Sequence, residues 1–325
     1  MTSLPQGVDP DLWAVAARLR REYWGHDVFL RGIVEFSNHC GQNCLYCGLR
    51  RDNPDIERYG LDMETIFDAA RAVRDLGFGT VVLQAGEDAA GRPEDMAGLI
   101  TRLKADLGLA VTLSLGERGR EAYALWRKAG ADRYLLKLET LDEDLYASLR
   151  PGRKLAERLR ALKHLVELGY ETGSGLIAGL PGESSASFQR GLEFLAGLDL
   201  DMVSISPFVP APGTPLAQAP ACGLPEILNA MARTRQLMPM AHIPVTSALG
   251  LRGDEVRLTA LEVGDVLMPS LTPENVRSNY AIYAGKNSGA QAPSARAEAM
   301  RQMLLAAGFN LPSGPGSAWR LAGKN

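Results

Sequence analysis

Apolar side chains recur along this chain at two spacings, and the two alternate. Residues 11–24 set Leu12, Val15, Ala16, Leu19 and Tyr23 on one face at helical period, which predicts an amphipathic leading helix. VFLRGIVEFS (28–37) follows, β-branched and aromatic, and predicts a strand. Asp62 then stands as a helix N-cap ahead of Met63, Ile66, Phe67, Ala70 and Val73, and Gly77 closes that segment. The alternation continues: TVVLQAGED (80–88), AVTLSLGE (110–117), RYLLKLET (133–140), TGSGLIAGL (172–180), MVSISPFVP (202–210), IPVTSALG (243–250) and DVLMPSLTP (265–273) read as strands. Several are continuous apolar runs, as parallel strands need when helices cover one face and a packed interior fills the other. Residues 94–106, 119–129, 154–168, 186–197 and 224–238 between them carry helical patterns long enough for right-handed crossovers.

Eight βα units predict an α/β fold, a closed (β/α)8 TIM barrel. An open doubly wound sheet is the alternative architecture. The expected division is an N-terminal helical extension over 1–27, a barrel over 28–285, and a C-terminal extension over 286–325 that packs on the barrel and holds a helix near 294–307. A length of 325 residues, 46% hydrophobic and 22% charged, suits one large folded domain of this kind. The net charge of -3, with no basic run interleaved with aromatics, argues against a nucleic-acid partner. No apolar run approaches the roughly 20 residues that cross a bilayer. The start, MTSLPQGVDPDLW, has neither the basic nor the apolar part of an export signal, so a cytoplasmic location away from membranes is expected.

The chemistry concentrates in HCGQNCLYCGLRRDN (39–53), which holds three of the four cysteines, Cys40, Cys44 and Cys47, just after the first strand. Thiols clustered in a reducing compartment are metal ligands or redox groups rather than disulfides. Two donor sets compete. Structural zinc wants four closed ligands, with His39 the nearest fourth; a [4Fe-4S] cluster held by three cysteines keeps one iron open to a ligand. Gly41, Gln42 and Asn43 within the loop argue against three inert core thiols.

Cys40, Cys44 and Cys47, with the aromatic Tyr46 before the third, resemble the signature of the radical S-adenosylmethionine (radical SAM) superfamily. That resemblance implies a [4Fe-4S] cluster, with S-adenosylmethionine (SAM) bound at its open iron and reductively cleaved there. It also implies roles for residues at other strand ends. Ala85-Gly86-Glu87, after Gln84, resembles the turn that receives the methionine ammonium. Gly175-Leu176-Ile177-Ala178-Gly179, followed by Glu183, resembles a stretch that lies against the adenine through Ile177, and Ile205 joins it from the next strand. Arg158 matches an arginine that pairs with the methionine carboxylate, and Glu139 and Ser114 are candidates for the ribose or for steadying that arginine.

Longer stretches, over most of residues 20–290, are similar to the radical SAM maturases of [FeFe]-hydrogenase. This implies a role in building the diiron subcluster and a small cysteine-derived thiol or organometallic iron precursor as substrate, with transient contacts to other maturation proteins and an electron donor. Thr112, Lys137, Thr246, Ser247, Tyr280 and Tyr283 are the candidate substrate residues, with Lys286 beside them. Hydroxyls and a cation at strand ends suit a small anion. The alternatives are a packing pair for the two tyrosines and a solvated surface charge for Lys286. The chain departs from the maturase pattern twice. GKNSGAQAPSARAEAM lacks the cysteines that hold an auxiliary cluster in some members, and Lys137-Leu138-Glu139-Thr140 stands where the pattern often reads Arg-His-Glu-Thr. An imidazole near the substrate is therefore expected to be missing. Cys222, in a Pro/Ala-rich loop, gives no second cluster of the biotin synthase kind. His26, His164 and His242 have no catalytic context. A methylornithine synthase-like mutase, a non-enzymatic iron-sulfur carrier and a zinc-stabilised binding barrel complete the alternatives.

Overall fold

The computed structural model describes residues 4–87, 91–289 and 291–322. Its strands are β1 (Phe29–Leu30), β2 (Gly32–Ser37), β3 (Thr80–Ala85), β4 (Ala110–Ser114), β5 (Arg133–Leu135), β6 (Glu171–Ala178), β7 (Met202–Pro207) and β8 (Val266–Leu267). β2 to β7 form one parallel sheet in chain order, and β1 pairs in parallel with β8. The ring closes through backbone bonds outside the ladders. His242 bridges to Met202 and Pro244 to Val266, while the Ile33 N–H donates to Pro269 O and the Leu271 N–H to Ile33 O. The fold is the expected α/β barrel, not an open sheet.

The helices follow the apolar periodicity. Asp62 accepts the Thr65 N–H at 2.7 Å and starts α2 (Met63–Asp75), which buries Ile66, Phe67, Ala70 and Val73. α1 (Pro10–Trp24), α3 (Pro93–Leu107), α4 (Arg120–Lys128), α6 (Leu155–Glu167), α7 (Ser185–Ala196), α8 (Leu224–Leu237) and α12 (Pro293–Ala306) fall where the pattern sets them. Shorter elements carried too few turns to show a period: α5 (Glu143–Leu149), α9 (Ser247–Gly250), α10 (Asp254–Ala260), α11 (Glu274–Arg277) and α13 (Trp319–Ala322).

Most expected strands are shorter than their apolar runs; the run at 133–140 pairs in a ladder only at Arg133–Leu135. The run at 243–250 keeps one bridge, Pro244 to Val266, with His242 bridging to Met202 just before it, because α9 begins at Ser247. The run at 265–273 pairs at Val266–Leu267 and again at Ser270, since Pro269 and Pro273 lack the N–H a ladder needs. The run at 80–88 pairs only to Ala85, and Asp88 lies outside the described residues.

The amino ends of the strands are sealed. Thr80 Oγ1 and Arg133 donate to Pro315 O, Arg31 donates to Gly316 O at 3.0 Å, and the Ala318 N–H donates to Glu171 Oε2 at 2.7 Å. Beneath β8, Asp265 accepts from Arg235 at 2.7 Å and from His242, whose ring lies 4.1 Å from that of Trp24. His242 is therefore a buried structural residue.

Candidate active site

The cysteine loop leaves the carboxyl end of β2 and is tied at three points to the barrel top. The Gly41 N–H donates to Glu87 O at 2.9 Å, the Leu45 N–H to Leu149 O at 2.9 Å and the Gly48 N–H to Ile282 O at 3.0 Å. Asn38, fully buried, accepts from the Tyr59 N–H and donates to Glu57 O and Asn279 O, which fixes the return of the loop. Gly86 is required at its place. A Cβ there would lie 2.2 Å from His39 O and 2.9 Å from Cys40 Cβ, so only glycine lets the second strand-end loop approach the first thiol. All three thiols are free, Cys44 buried and Cys40 and Cys47 half-buried. Among the described residues no three His, Cys, Asp or Glu side chains are grouped closely enough to ligate one metal ion.

Beside the loop lies a charge network that the sequence showed only in part. Arg158, on α6, donates to Glu87 Oε1 at 2.7 Å, to Glu117 Oε1 at 3.0 Å and to Lys137 O at 2.9 Å. Arg150, 2% exposed, donates to the same Glu87 oxygen at 3.1 Å, and Arg153 closes on Glu117. Burial alone would raise the Glu87 pKa, but Arg158 and Arg150 outweigh it and hold the carboxyl at about 2. Glu87 Oε2 is buried with no partner. The network fits only because residue 116 is glycine: its φ is +70°, and a Cβ would sit 1.9 Å from Glu87 Cγ.

These groups open into one cavity of about 300 Å³ at the barrel mouth. Tyr46, Cys47, Gln84, Glu87, Ser114, Glu139, Arg158 and Ile177 line it, together with Lys137, Thr246, Ser247, Tyr280, Tyr283 and Lys286. Glu139 holds φ +70°, unusual for a residue with a Cβ, and its Oε2 lies 3.1 Å from Lys137 Nζ without hydrogen-bond alignment. Lys137 Nζ donates to Ser206 Oγ at 3.2 Å, Gln84 to Tyr280 Oη at 3.0 Å, and Ser247 pairs with Tyr283 Oη. Burial pushes up the pKa of both Tyr280 and Tyr283, so these phenols are hydrogen-bonding groups rather than phenolates.

Three expectations need correction, and one alternative falls. Ile205 is fully buried outside the cavity, because Ser204 and Ser206 take the inward face of β7 and the intervening position points to the helices. Thr112 is likewise buried off the cavity lining, two residues below Ser114 on β4. Leu138 is fully buried in the main hydrophobic core, so the position of the missing imidazole faces away from the ligand space. Lys286 is no surface charge: it is 7% exposed and donates to Glu35 Oε1 at 2.7 Å. Sequence reasoning missed Glu117, Arg150 and Ser206. Glu117 shares with Glu87 the place of a carboxylate just past a strand end, and Ser206 alternates with Ser204, so both carried a signal; Arg150 carried none.

The sequence model of the radical SAM superfamily matches residues 34–195. The chain is also 44% identical over 282 residues to the [FeFe] hydrogenase maturase subunit HydE of Thermotoga maritima, which covers 86% of this chain and 81% of that one. The chain belongs to the radical SAM superfamily. A second relative, the 3-methylornithine synthase of Methanosarcina acetivorans, is 30% identical over 266 residues, 81% of this chain and 75% of the other. The crystal structure of methylornithine synthase (PylB) matches the fold with a TM-score of 0.81 at 26% identity, covering 93% of this chain and 88% of that one. As a radical SAM enzyme the chain uses a [4Fe-4S] cluster and SAM. A donor set of three free thiols on one anchored loop suits a cluster with one open iron.

Proposed function

We propose that this radical SAM enzyme acts in [FeFe]-hydrogenase maturation, on a small anionic thiol-containing or organometallic iron precursor. One observation carries the reading: the cysteine loop, the Glu87–Arg158 network and the Thr246/Tyr280/Tyr283 wall share a single cavity. In this reading Cys40, Cys44 and Cys47 hold three irons. The cluster they would hold would supply the electron for reductive cleavage of SAM.

The chain's own residues position the cofactor. Glu87 Oε2, unpaired and unprotonated, is an acceptor for the methionine ammonium, and Arg158 faces the same space as a partner for the carboxylate. Ile177 offers an apolar surface for the adenine, and Glu139 and Ser114 accept ribose hydroxyls. In the same cavity Lys137, beside Glu139, together with Thr246, Ser247 and the two tyrosines receives the substrate. Residues 28–285 form the catalytic barrel in this scheme, and 1–27 and 286–325 are extensions that brace it. An electron donor and further maturation proteins are its transient partners.

The likeness to methylornithine synthase supports a second reading, a radical mutase acting on an amino-acid skeleton. Expression in a hydrogenase-positive host deleted for its own maturase separates the two. Restored hydrogen evolution supports maturation, whereas SAM cleavage by the same protein without restored evolution favours the mutase.

A further inference from the structure

The end of α5 and the cysteine loop are joined through the backbone. The Leu45 N–H, between Cys44 and Tyr46, donates to Leu149 O at 2.9 Å, and Leu149 is the last residue of α5. Arg150, the residue that follows, is thereby carried to the loop. Its side chain is buried and does not line the main cavity, whereas Arg158 does, so Arg158 is the guanidinium of this pair that faces a ligand. Arg150 meets the loop instead. Cys44, the buried thiol of the three, and Tyr46 both lie within electrostatic reach of it.

Its contacts fix the guanidinium and leave one donor over. Nη1 donates to Tyr146 Oη at 2.8 Å, Nη2 donates to Glu87 Oε1 at 3.1 Å, and the guanidinium carbon lies 5.3 Å from the centre of the Tyr146 ring. Nε is buried without a partner. A buried guanidinium with an orphan donor costs free energy, the more so where its charge is incompletely matched. The charges here do not match. Arg150, Arg153 and Arg158 share two carboxylates, Glu87 and Glu117, so the network carries a surplus positive charge beside the loop. The other thiols have negative neighbours, for Glu87 lies within electrostatic reach of Cys40 and Glu139 within that of Cys47. A [4Fe-4S] cluster on three thiolates is net negative and becomes more so on reduction, and the charge around it helps set its potential.

We infer that Arg150 is a positioning residue for that cluster, a buried cation fixed near Cys44 by Glu87 and Tyr146 that makes the one-electron reduced state easier to reach. The inference concerns the cluster alone and stands apart from the choice of substrate. Reduction adds one electron from a low-potential donor, and no bond is made or broken at Arg150, which stays protonated throughout.

A redox titration of the reconstituted full-length protein, with dithionite as reductant, electron paramagnetic resonance as readout and no SAM present, tests it. At a fixed solution potential the ratio of reduced to oxidised cluster is expected to fall about tenfold in Arg150→Gln, a shift of about 59 mV for one electron. Arg150→Lys keeps the charge, and Tyr146→Phe removes a contact while leaving the guanidinium; both are expected to stay within about threefold of the wild type, half that shift on a logarithmic scale. A loaded Arg150→Gln protein that stays within the same threefold band overturns the inference, since a residue needed for shape alone would leave the potential where it was. So does an Arg150→Lys or Tyr146→Phe protein that falls outside it. Should Arg150→Gln take up no iron, Arg150→Lys decides: a loaded cluster inside the band supports the role of the charge, and a lost cluster or one outside the band overturns it. Methionine release from SAM by the wild type is a separate measurement. It tests the functional reading whichever way the potential moves.

Discussion

Gly116→Ala probes how the Glu87–Arg158 network is built, and Gly108→Ala supplies its internal control. Both glycines hold left-handed backbone, with φ +70° and +65°. Alanine in that region costs roughly 1–2 kcal/mol at either place. They differ in what a Cβ meets. At Gly108, the C-cap of α3, it meets nothing within 4 Å; at Gly116 it falls 1.9 Å from Glu87 Cγ and 2.4 Å from Cδ. The carboxyl must then leave Arg158 and Arg150, which stand 2.7 and 3.1 Å away, and two buried guanidinium groups lose a shared acceptor. Breaking a buried ion pair costs about 3–5 kcal/mol, so the Gly116 variant should lose about 4–7 kcal/mol in all. With an unfolding entropy of about 2.1 cal/mol/K per residue, each kcal/mol moves the midpoint of a chain of this length by about 1.5 °C. Differential scanning calorimetry of the apo proteins should therefore show a fall of about 1.5–3 °C for Gly108→Ala and about 6–10 °C for Gly116→Ala. SAM affinity, measured on reconstituted protein, should weaken at least tenfold in the Gly116 variant alone. Equal midpoint shifts in the two variants, or unchanged SAM affinity in Gly116→Ala, would refute the assignment of Gly116 as the space for Glu87.

Further predictions concern groups away from the cluster loop. Burial would raise the Asp265 pKa, but His242 and Arg235 outweigh it and hold it at about 2, below an ordinary aspartate near 3.9. Its stabilisation, about 2–3 kcal/mol, is thus fully present above about pH 4 and lost as pH falls through about 2; Asp265→Asn should lower the midpoint at pH 7 and flatten its acid dependence below pH 4, as followed by circular dichroism. Leu138→His should destabilise by about 2–4 kcal/mol without adding a ligand contact, because it buries an imidazole in the core; a stable variant with tighter substrate binding would contradict the placement. Lys286→Met should cost about 3–5 kcal/mol at pH 7 by leaving Glu35 buried without its cation, and the loss should shrink in acid as Glu35 takes a proton. A midpoint unchanged by Lys286→Met would show that the pair is not the buried contact described.

The parts of this enzyme that were legible in its sequence are those where one chemical constraint acts alone. Three cysteines in eight positions have few uses, and strands that must be apolar on both faces announce a parallel barrel. Glu87 and Glu139 could be read because barrel enzymes carry their chemistry just past strand ends. What failed depended on side-chain direction or on partners far along the chain. Ile205 and Leu138 each sit one residue away from a cavity-facing neighbour; along β7 a step of one reverses the face, and Leu138 lies past the end of β5. Lys286 became a buried residue only because Glu35, 251 positions earlier, lies beneath it. The floor was equally hidden: Pro315 and Gly316 are ordinary loop residues until their carbonyls meet Arg133 and Arg31.

The most direct test of the account is SAM cleavage by anaerobically reconstituted protein under dithionite, with methionine and 5′-deoxyadenosine quantified by chromatography for the wild type and for Cys40→Ser, Cys44→Ser and Cys47→Ser. The account predicts both products in equal amounts from the wild type, together with bound iron and sulfide, and neither product from any of the three variants. Undiminished products from a serine variant, or a wild type that takes up iron and sulfide and yet leaves SAM intact, would contradict it.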